Sequence, residues 1–481
     1  MCCRSCINRW RCRGGGHDEP SEACKARYAF VRVRSWRLMT GLSRRQFLAA
    51  GGGLTLAGVL SACGSPVATS FTGAQPQTAD VIFWHLFGGG DGANMATMVN
   101  KYQDSSHRSV EATLLSWGNP YYTKLALAAS SGRPPDVGIA HLSRLPLLAE
   151  AGLLEPIGDQ FRAAGITQDK FTPAAWKKAT VGGTTYAVPL DTHPFVLYYN
   201  TALAKKAGLL NAAGDRLKTM SGADDFRNAL KAMKEASGGQ FGAVATITAD
   251  PSTCWRLFSM VYSGIAGPIV SDQGTKVTID EHAMEESFAF LQSLTGSQKL
   301  MPSTATATTS SSLFSQGKVG FLFDGVWQLP TYRTVKGLKF NIEPFPALLG
   351  SKPVAYADSH SLVIPKSSSR SAKRTTDAVN FIKGLLDQSL TWADGGHVPA
   401  WLPVQKSTEF RALKPQSNYV QAAFDAVYDP VGWYTGAGSD FQTAMGSVVA
   451  SVLTGGTGPK QGVGAIRSSL KTFSTARPPV T

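Results

Sequence analysis

From Ala79 onward the chain alternates short apolar runs with helical stretches, and this alternation constrains its fold more than any other feature. The run DVIFWHLF, Asp80 to Phe87, has the length and β-branched and aromatic content of a buried strand, and it opens into a Gly-rich loop that continues as a helix. VEATLLSW, Val110 to Trp117, repeats the pattern ahead of a helix through YYTKLALAAS. PDVGIA, Pro135 to Ala140, repeats it again ahead of a helix around Leu145 to Ala151. Such an order predicts an α/β fold with a largely parallel sheet, whose binding sites lie in loops at the carboxyl ends of the strands. Between about 195 and 355 the texture changes to helices rich in Ala, Phe and Lys, with a Ser/Thr-rich connection at Ser303 to Ser312. With 481 residues, 43% of them hydrophobic, there is apolar material for two lobes.

The formal charge of +14 does not point to a polyanion, because it is unevenly placed. Residues 1–62 hold 11 Lys and Arg against 3 Asp and Glu, and the remaining 419 residues carry a net charge of only +6. No basic run interleaved with aromatics appears there, so nucleic acid is not an expected partner. Five of the seven cysteines (Cys2, Cys3, Cys6, Cys12 and Cys24) crowd the N-terminus without a second pair at zinc-ligand spacing. Only Cys63 and Cys254 follow, which leaves the body no internal disulfide to form.

SRRQFL, Ser43 to Leu48, precedes an uncharged Ala/Gly/Leu stretch ending at Ala62, and then comes Cys63. Twin arginines before an apolar region read as an export signal. At about 14 residues that region is too short to span a ~30 Å bilayer. Leu60, Ser61, Ala62 and Cys63 resemble a lipobox, which makes Cys63 the lipidated N-terminus of the mature protein. Met39 stands where such a signal starts, so residues 1–38 are read as an untranslated or disordered extension and 39–62 as the signal peptide. Residues 63–79 are then a small, polar tether.

Five tracts in order resemble the extracellular solute-binding proteins of carbohydrate ABC transporters, the group with maltose-binding and glycerophosphodiester-binding proteins. They are residues 125–157, 182–209 (GGTTYAVPLDTHPFVLYYNTALAKKAGL), 313–330 (LFSQGKVGFLFDGVWQLP), 355–366, and GGHVPAWLPV at Gly395 to Val404. The resemblance implies two α/β lobes with a ligand cleft between them, a small carbohydrate ligand, and permease and ATPase partners in an ABC importer. It places one lobe at 80–190 plus 358–395 and the other at 195–352 plus 405–470. Crossings at Asp191 to His193, Ala357 to His360 and His397 to Trp401 would form the hinge and the cleft wall.

A sugar offers apolar C–H faces and a rim of hydroxyls, so its site needs flat aromatic platforms and side chains that donate and accept hydrogen bonds. Trp117, Trp327 and Trp433 fall at strand ends or turns and are the leading platforms, with Trp255 and Trp401 behind them. The polar candidates are Gly90 and Asp91 in the first Gly-rich loop, Asp191 and His193, Asp324, His360 and His397. Asp324 before Gly also suits a simple turn or cap. The histidines show no H-x-x-x-H spacing, so each is read as a hydroxyl partner, with neither a metal nor a cofactor expected. A glycoside hydrolase built on Asp191 and Asp324 is the enzyme alternative. No G-x-S-x-G elbow, phosphate loop or metal-binding helix supports it. A structural lipoprotein without a ligand is the third reading.

Overall fold

The computed structural model describes residues 79–477, so the export signal, Cys63 and the tether through Thr78 lie outside the described residues. The run VIFWH forms β1 (Val81–His85), with Val81 and Phe83 buried and Ile82 and Trp84 partly covered. Along the chain follow α1 (Gly89–Ser106), β2 (Val110–Leu114), α2 (Asn119–Ser130), β3 (Val137–His141), β4 (Ala187–Pro189), β5 (Asp191–Asn200) and β6 (Ala243–Ala245). After these come α3 (Pro251–Ser263), α4 (Glu281–Thr295), β7 (Phe321–Gly325), β8 (Phe340–Glu343), β9 (Ala355–Asp358) and β10 (His360–Val363). The last are α5 (Ala372–Asp387), β11 (Val398–Pro399), β12 (Ala426–Val427), α6 (Asp440–Leu453) and α7 (Pro459–Thr475). No helix among the described residues is long and apolar enough to cross a membrane.

Two sheets result. The first has the order β2-β1-β3-β10-β4, and the second runs β12-β9-β5-β7-β6 with β8 and β11 also paired to β5. The expected parallel character holds for β2-β1-β3, but β10 is antiparallel to both its neighbours and β5 is antiparallel to all of its own. The cause is where the chain enters. β3 ends at His141, and β10 begins at His360 directly opposite it, so a strand returning from the second sheet must run away from the edge at which β3 arrives.

β5 links the two layers and has all ten of its residues buried. Phe195, Leu197 and Tyr199 face a core built with α3, α4, α6 and α7. Val196 and Tyr198 face another that includes Val326, Leu329, Tyr332 and Tyr419. Burial on both faces explains why β5 reads as a continuous apolar run instead of an alternating one. The first sheet packs on its own cluster, where Phe83, Ile139 and Leu362 meet Phe381 and Leu385 of α5. Cys254, the one cysteine among the described residues, is buried with its thiol donating to the Ile247 carbonyl at 3.3 Å. Burial pushes that thiol up to about 12, which leaves it unreactive.

Three stretches cross between the sheets side by side. Asp358 lies opposite His193, and Val398 and Pro399 lie opposite Thr192 and Asp191. Leu190 is held on both sides, donating from its N–H to the His360 carbonyl and accepting from Ala400 N–H. The layers also touch away from the crossings. Asn119 at the start of α2 donates to the Asp440 carboxylate at 2.9 Å, and Ala437 N–H donates to Ser143 Oγ at 3.0 Å.

Candidate ligand cleft

A cavity of about 440 Å³ lies where the strand ends of the first sheet face the second, toward the lower end of the range for small-molecule sites. The first sheet supplies Leu86, Phe87 and Gly88 after β1, Asp91 in the first turn of α1, Trp117 after β2, and His141 at the end of β3. These are the carboxyl-end positions at which α/β sheets bind ligands. The second sheet supplies Trp327 after β7, and Asp250, Ser252 and Arg256 at the start of α3. Asp250 caps that helix, accepting from Thr253 N–H at 3.1 Å and from its hydroxyl at 2.7 Å, with Pro251 at the first helical position. His193 and His360 complete the lining from the crossings.

Beneath these two histidines, Asp191 is fully buried and accepts from several directions. His193 Nδ1 lies 3.0 Å from Oδ1 and His360 Nδ1 lies 2.8 Å from Oδ2. His360 N–H donates to Oδ1 at 2.9 Å, and Trp392 Nε1 donates to Oδ2 at 2.6 Å. A carboxylate only accepts, so Nδ1 of each histidine carries the proton and Nε2 is left as an acceptor. His141 takes the opposite tautomer. The Tyr122 hydroxyl accepts from His141 N–H at 3.0 Å and lies 2.7 Å from His141 Nδ1. A buried hydroxyl hydrogen needs an acceptor, so it is assigned to Nδ1, which puts the imidazole proton on Nε2. The cleft therefore combines imidazole donors and acceptors, the complement of a hydroxyl rim.

Electrostatics separate these groups. Burial lowers His193 and His360 despite Asp191. Burial, then His360 and His193, drive His141 well below the ordinary range. Burial opposes the charge of Asp191 too, but the imidazoles of His360, His193 and His397 outweigh it and hold the carboxyl well below its usual range. His397 goes the other way. Burial pulls it down, yet Asp91 and Asp191 together raise it to about 10. Its Nε2 is 3.1 Å from Asp91, and its ring stacks on Trp392 at 4.4 Å.

Of the residues singled out in the sequence, Asp91, Trp117, His193, Trp327 and His360 line the cleft, while Asp191 and His397 lie under it. Five lie elsewhere. Gly90 abuts Pro330, where a Cβ would collide with the proline ring. Trp255 is 2% exposed in the core. Its indole N–H donates to Asp429, and it borders a different cavity of about 730 Å³ with Lys178, Tyr262 and Tyr428, because successive residues of α3 face different ways. Trp433 is half-buried and meets Tyr434 edge to face. Trp401 packs on Phe171 in the first core. Asp324 is buried, with Oδ1 accepting from Gly325 N–H at 2.7 Å, which is the turn role. The sequence reading missed His141, Asp250, Ser252 and Arg256. The Asp-Pro helix start and the end of the third strand were the signals for them.

Burial raises Asp324 from its ordinary 3.8 to about 7, so the folded state holds the proton more tightly than the unfolded chain between those values. Stability from this group is full below about pH 4 and falls as pH rises to about 7. Asp324→Asn should match wild type at pH 4 and exceed it by roughly 2–4 kcal/mol at pH 8. Urea midpoints at both pH values decide the matter, and a constant offset between the two proteins would refute it.

Known proteins share this architecture. A family model described as bacterial extracellular solute-binding protein matches residues 97–414. The chain is 24% identical over 225 residues to the maltotriose-binding protein of Pyrococcus abyssi (strain GE5 / Orsay), covering 47% of this chain but only 45% of that protein's length. It is also 24% identical over 308 residues to the arabinooligosaccharide-binding protein of Bacillus subtilis (strain 168), covering 62% and 67%. The GacH receptor of Streptomyces glaucescens GLA.O, solved unliganded and with acarbose, matches in fold with a TM-score of 0.68 at 19% identity, over 82% of this chain and 99% of that one.

Proposed function

Because this chain belongs to the bacterial extracellular solute-binding protein family, we propose that its cleft captures a small neutral or amino sugar outside the cell. The sugar then passes to the permease and ATPase of an ABC importer. The carrying observation is the lining itself, where the indoles of Trp117 and Trp327 stand beside imidazoles of both tautomers. Relatives named for maltotriose and arabinooligosaccharides support a carbohydrate. The charged side chains that line the cleft are Asp91, Asp250 and Arg256. Two carboxylates against one guanidinium favour a neutral or amino sugar over a phosphorylated one, which usually draws several Arg. The two helix N-termini at the cleft, which could otherwise draw phosphate, already carry Asp91 and Asp250.

The chain acts as a binder and not as a hydrolase. Hydrolysis needs a free acid and a second carboxylate across one bond, whereas Asp250 caps a helix and Asp91 pairs with His397. Asp191 and Asp324, the pair a hydrolase would use, are both buried. On the same reading Cys63 carries lipid and anchors the protein to the outer face of the cell membrane after twin-arginine export from Met39. Cys63→Ala should release it into the aqueous fraction, and residues 1–38 found on the membrane-extracted protein would refute the start site.

A sugar at a hundredfold excess over its Kd should stabilise the fold by about 2.7 kcal/mol, a shift that thermal melts resolve. Screening neutral sugars, amino sugars and glycerophosphodiesters side by side tests the assignment. Stabilisation by the phosphodiesters or by peptides alone would overturn it.

A further inference from the structure

We infer that Asp191, His193, His360 and His397 form a four-coordinate site for a divalent transition metal, Zn²⁺ above all, beneath the floor of the ligand cleft. One ligand atom from each of the four residues lies within 4.8 Å of all the others, and all four residues are buried. Three nitrogens approach the carboxylate at 3.0, 2.8 and 3.0 Å. Ligands 2.0–2.2 Å from zinc in a tetrahedron stand about 3.3 Å apart, close to these nitrogen–carboxylate spacings, and all four atoms already lie within 4.8 Å of one another. A donor set of three imidazoles and one carboxylate suits zinc better than magnesium or calcium.

A second observation is independent of that spacing. His397 Nδ1 is fully buried and makes no hydrogen bond, although Asp191 Oδ2 is only 3.0 Å away, because its direction is wrong for one. Its other nitrogen already faces Asp91. This is the outer-shell arrangement of ligating histidines, whose second nitrogen donates to a carboxylate. Trp392 Nε1 and His360 N–H play the matching part for Asp191. With four protein ligands the site is of the closed, structural kind. The ion takes the place of the Nδ1 protons, so in the metal-bound form His193 and His360 carry the proton on Nε2 and His397 gives up one proton. The mixed tautomers of the cleft belong to the metal-free protein. Its ligands come from β5, from β10 and from the residue before β11, so the ion fastens together the three crossings about which the lobes would hinge.

The test uses the full mature chain, stripped with chelator and free of sugar, so it stands apart from the carbohydrate assignment. Zn²⁺ titration should give one equivalent per chain and a higher melting temperature that chelator reverses. Co²⁺ should give the visible absorption of a tetrahedral site. Asp91→Asn should weaken Zn²⁺ binding about 10–100-fold, and His397→Gln should abolish the Co²⁺ spectrum, while the exposed-surface variant His107→Gln should do neither. Should His397→Gln fail to fold, the wild-type stoichiometry and Co²⁺ spectrum still decide. No uptake by the stripped wild-type protein overturns the site, as does uptake that a folded His397→Gln leaves unchanged.

Discussion

In chelator-treated protein, Asp191→Ala is expected to lower the free energy of unfolding by about 3–5 kcal/mol, the scale for removing one partner from a buried ionic network. The loss goes beyond one contact. His193 Nδ1, His360 N–H and Nδ1, and Trp392 Nε1 all donate to this carboxylate, and without it these buried donors lose their acceptor. The charge on His397, sustained by Asp91 and Asp191 together, loses one of its two carboxylate partners. Asp191→Asn should cost less, because one oxygen still accepts while the amide presents a donor to groups that donate already. Denaturant midpoints of the three proteins test the ranking. A shift below about 1 kcal/mol for Asp191→Ala would show that the crossings are held by their backbone pairing alone.

Much of this network was half legible in the sequence, and the reason differs from residue to residue. Asp191 stood out because a charge in an apolar crossing segment needs a partner. His193, His360 and His397 stood out because each falls at a crossing. Their convergence on one carboxylate was not legible, since spacing rules for metals assume ligands on one helix or turn, and here His360 is 169 residues from Asp191. The strand and helix alternation gave the first sheet because βαβ connections are local. The antiparallel β10 escaped it because its direction follows from where the chain returns. Among the tryptophans, position at a strand end separated Trp117 and Trp327 from the core, but Trp433 satisfied the same criterion and packs instead beside Tyr434. A flat apolar side chain after a turn fits a core as well as a cleft.

Trp327 and Gly325 should behave as one unit in ligand binding. Trp327 lies across Gly325 so closely that a Cβ there would fall inside three carbons of the indole. The Arg256 guanidinium sits 4.9 Å from the ring centroid, and the His193 ring meets it edge-on at 5.9 Å. Trp327→Ala removes this wall of the cleft and the seat of Arg256, and should cost about 2 kcal/mol of binding, roughly a thirtyfold rise in Kd. The ring is half-buried, so stability should fall by less than the 3–5 kcal/mol of a core Trp truncated to Ala. Gly325 has φ −86° and ψ 159°, which alanine adopts without strain, so Gly325→Ala can act only by expelling the indole. It should therefore raise Kd to a similar degree in the wild type and change it little in the Trp327→Ala background, leaving a coupling energy of about 2 kcal/mol between adjacent sites. Calorimetric titration of the four proteins with a stabilising sugar closes the cycle. Additive losses would mean that the indole is not the surface on which the ligand rests.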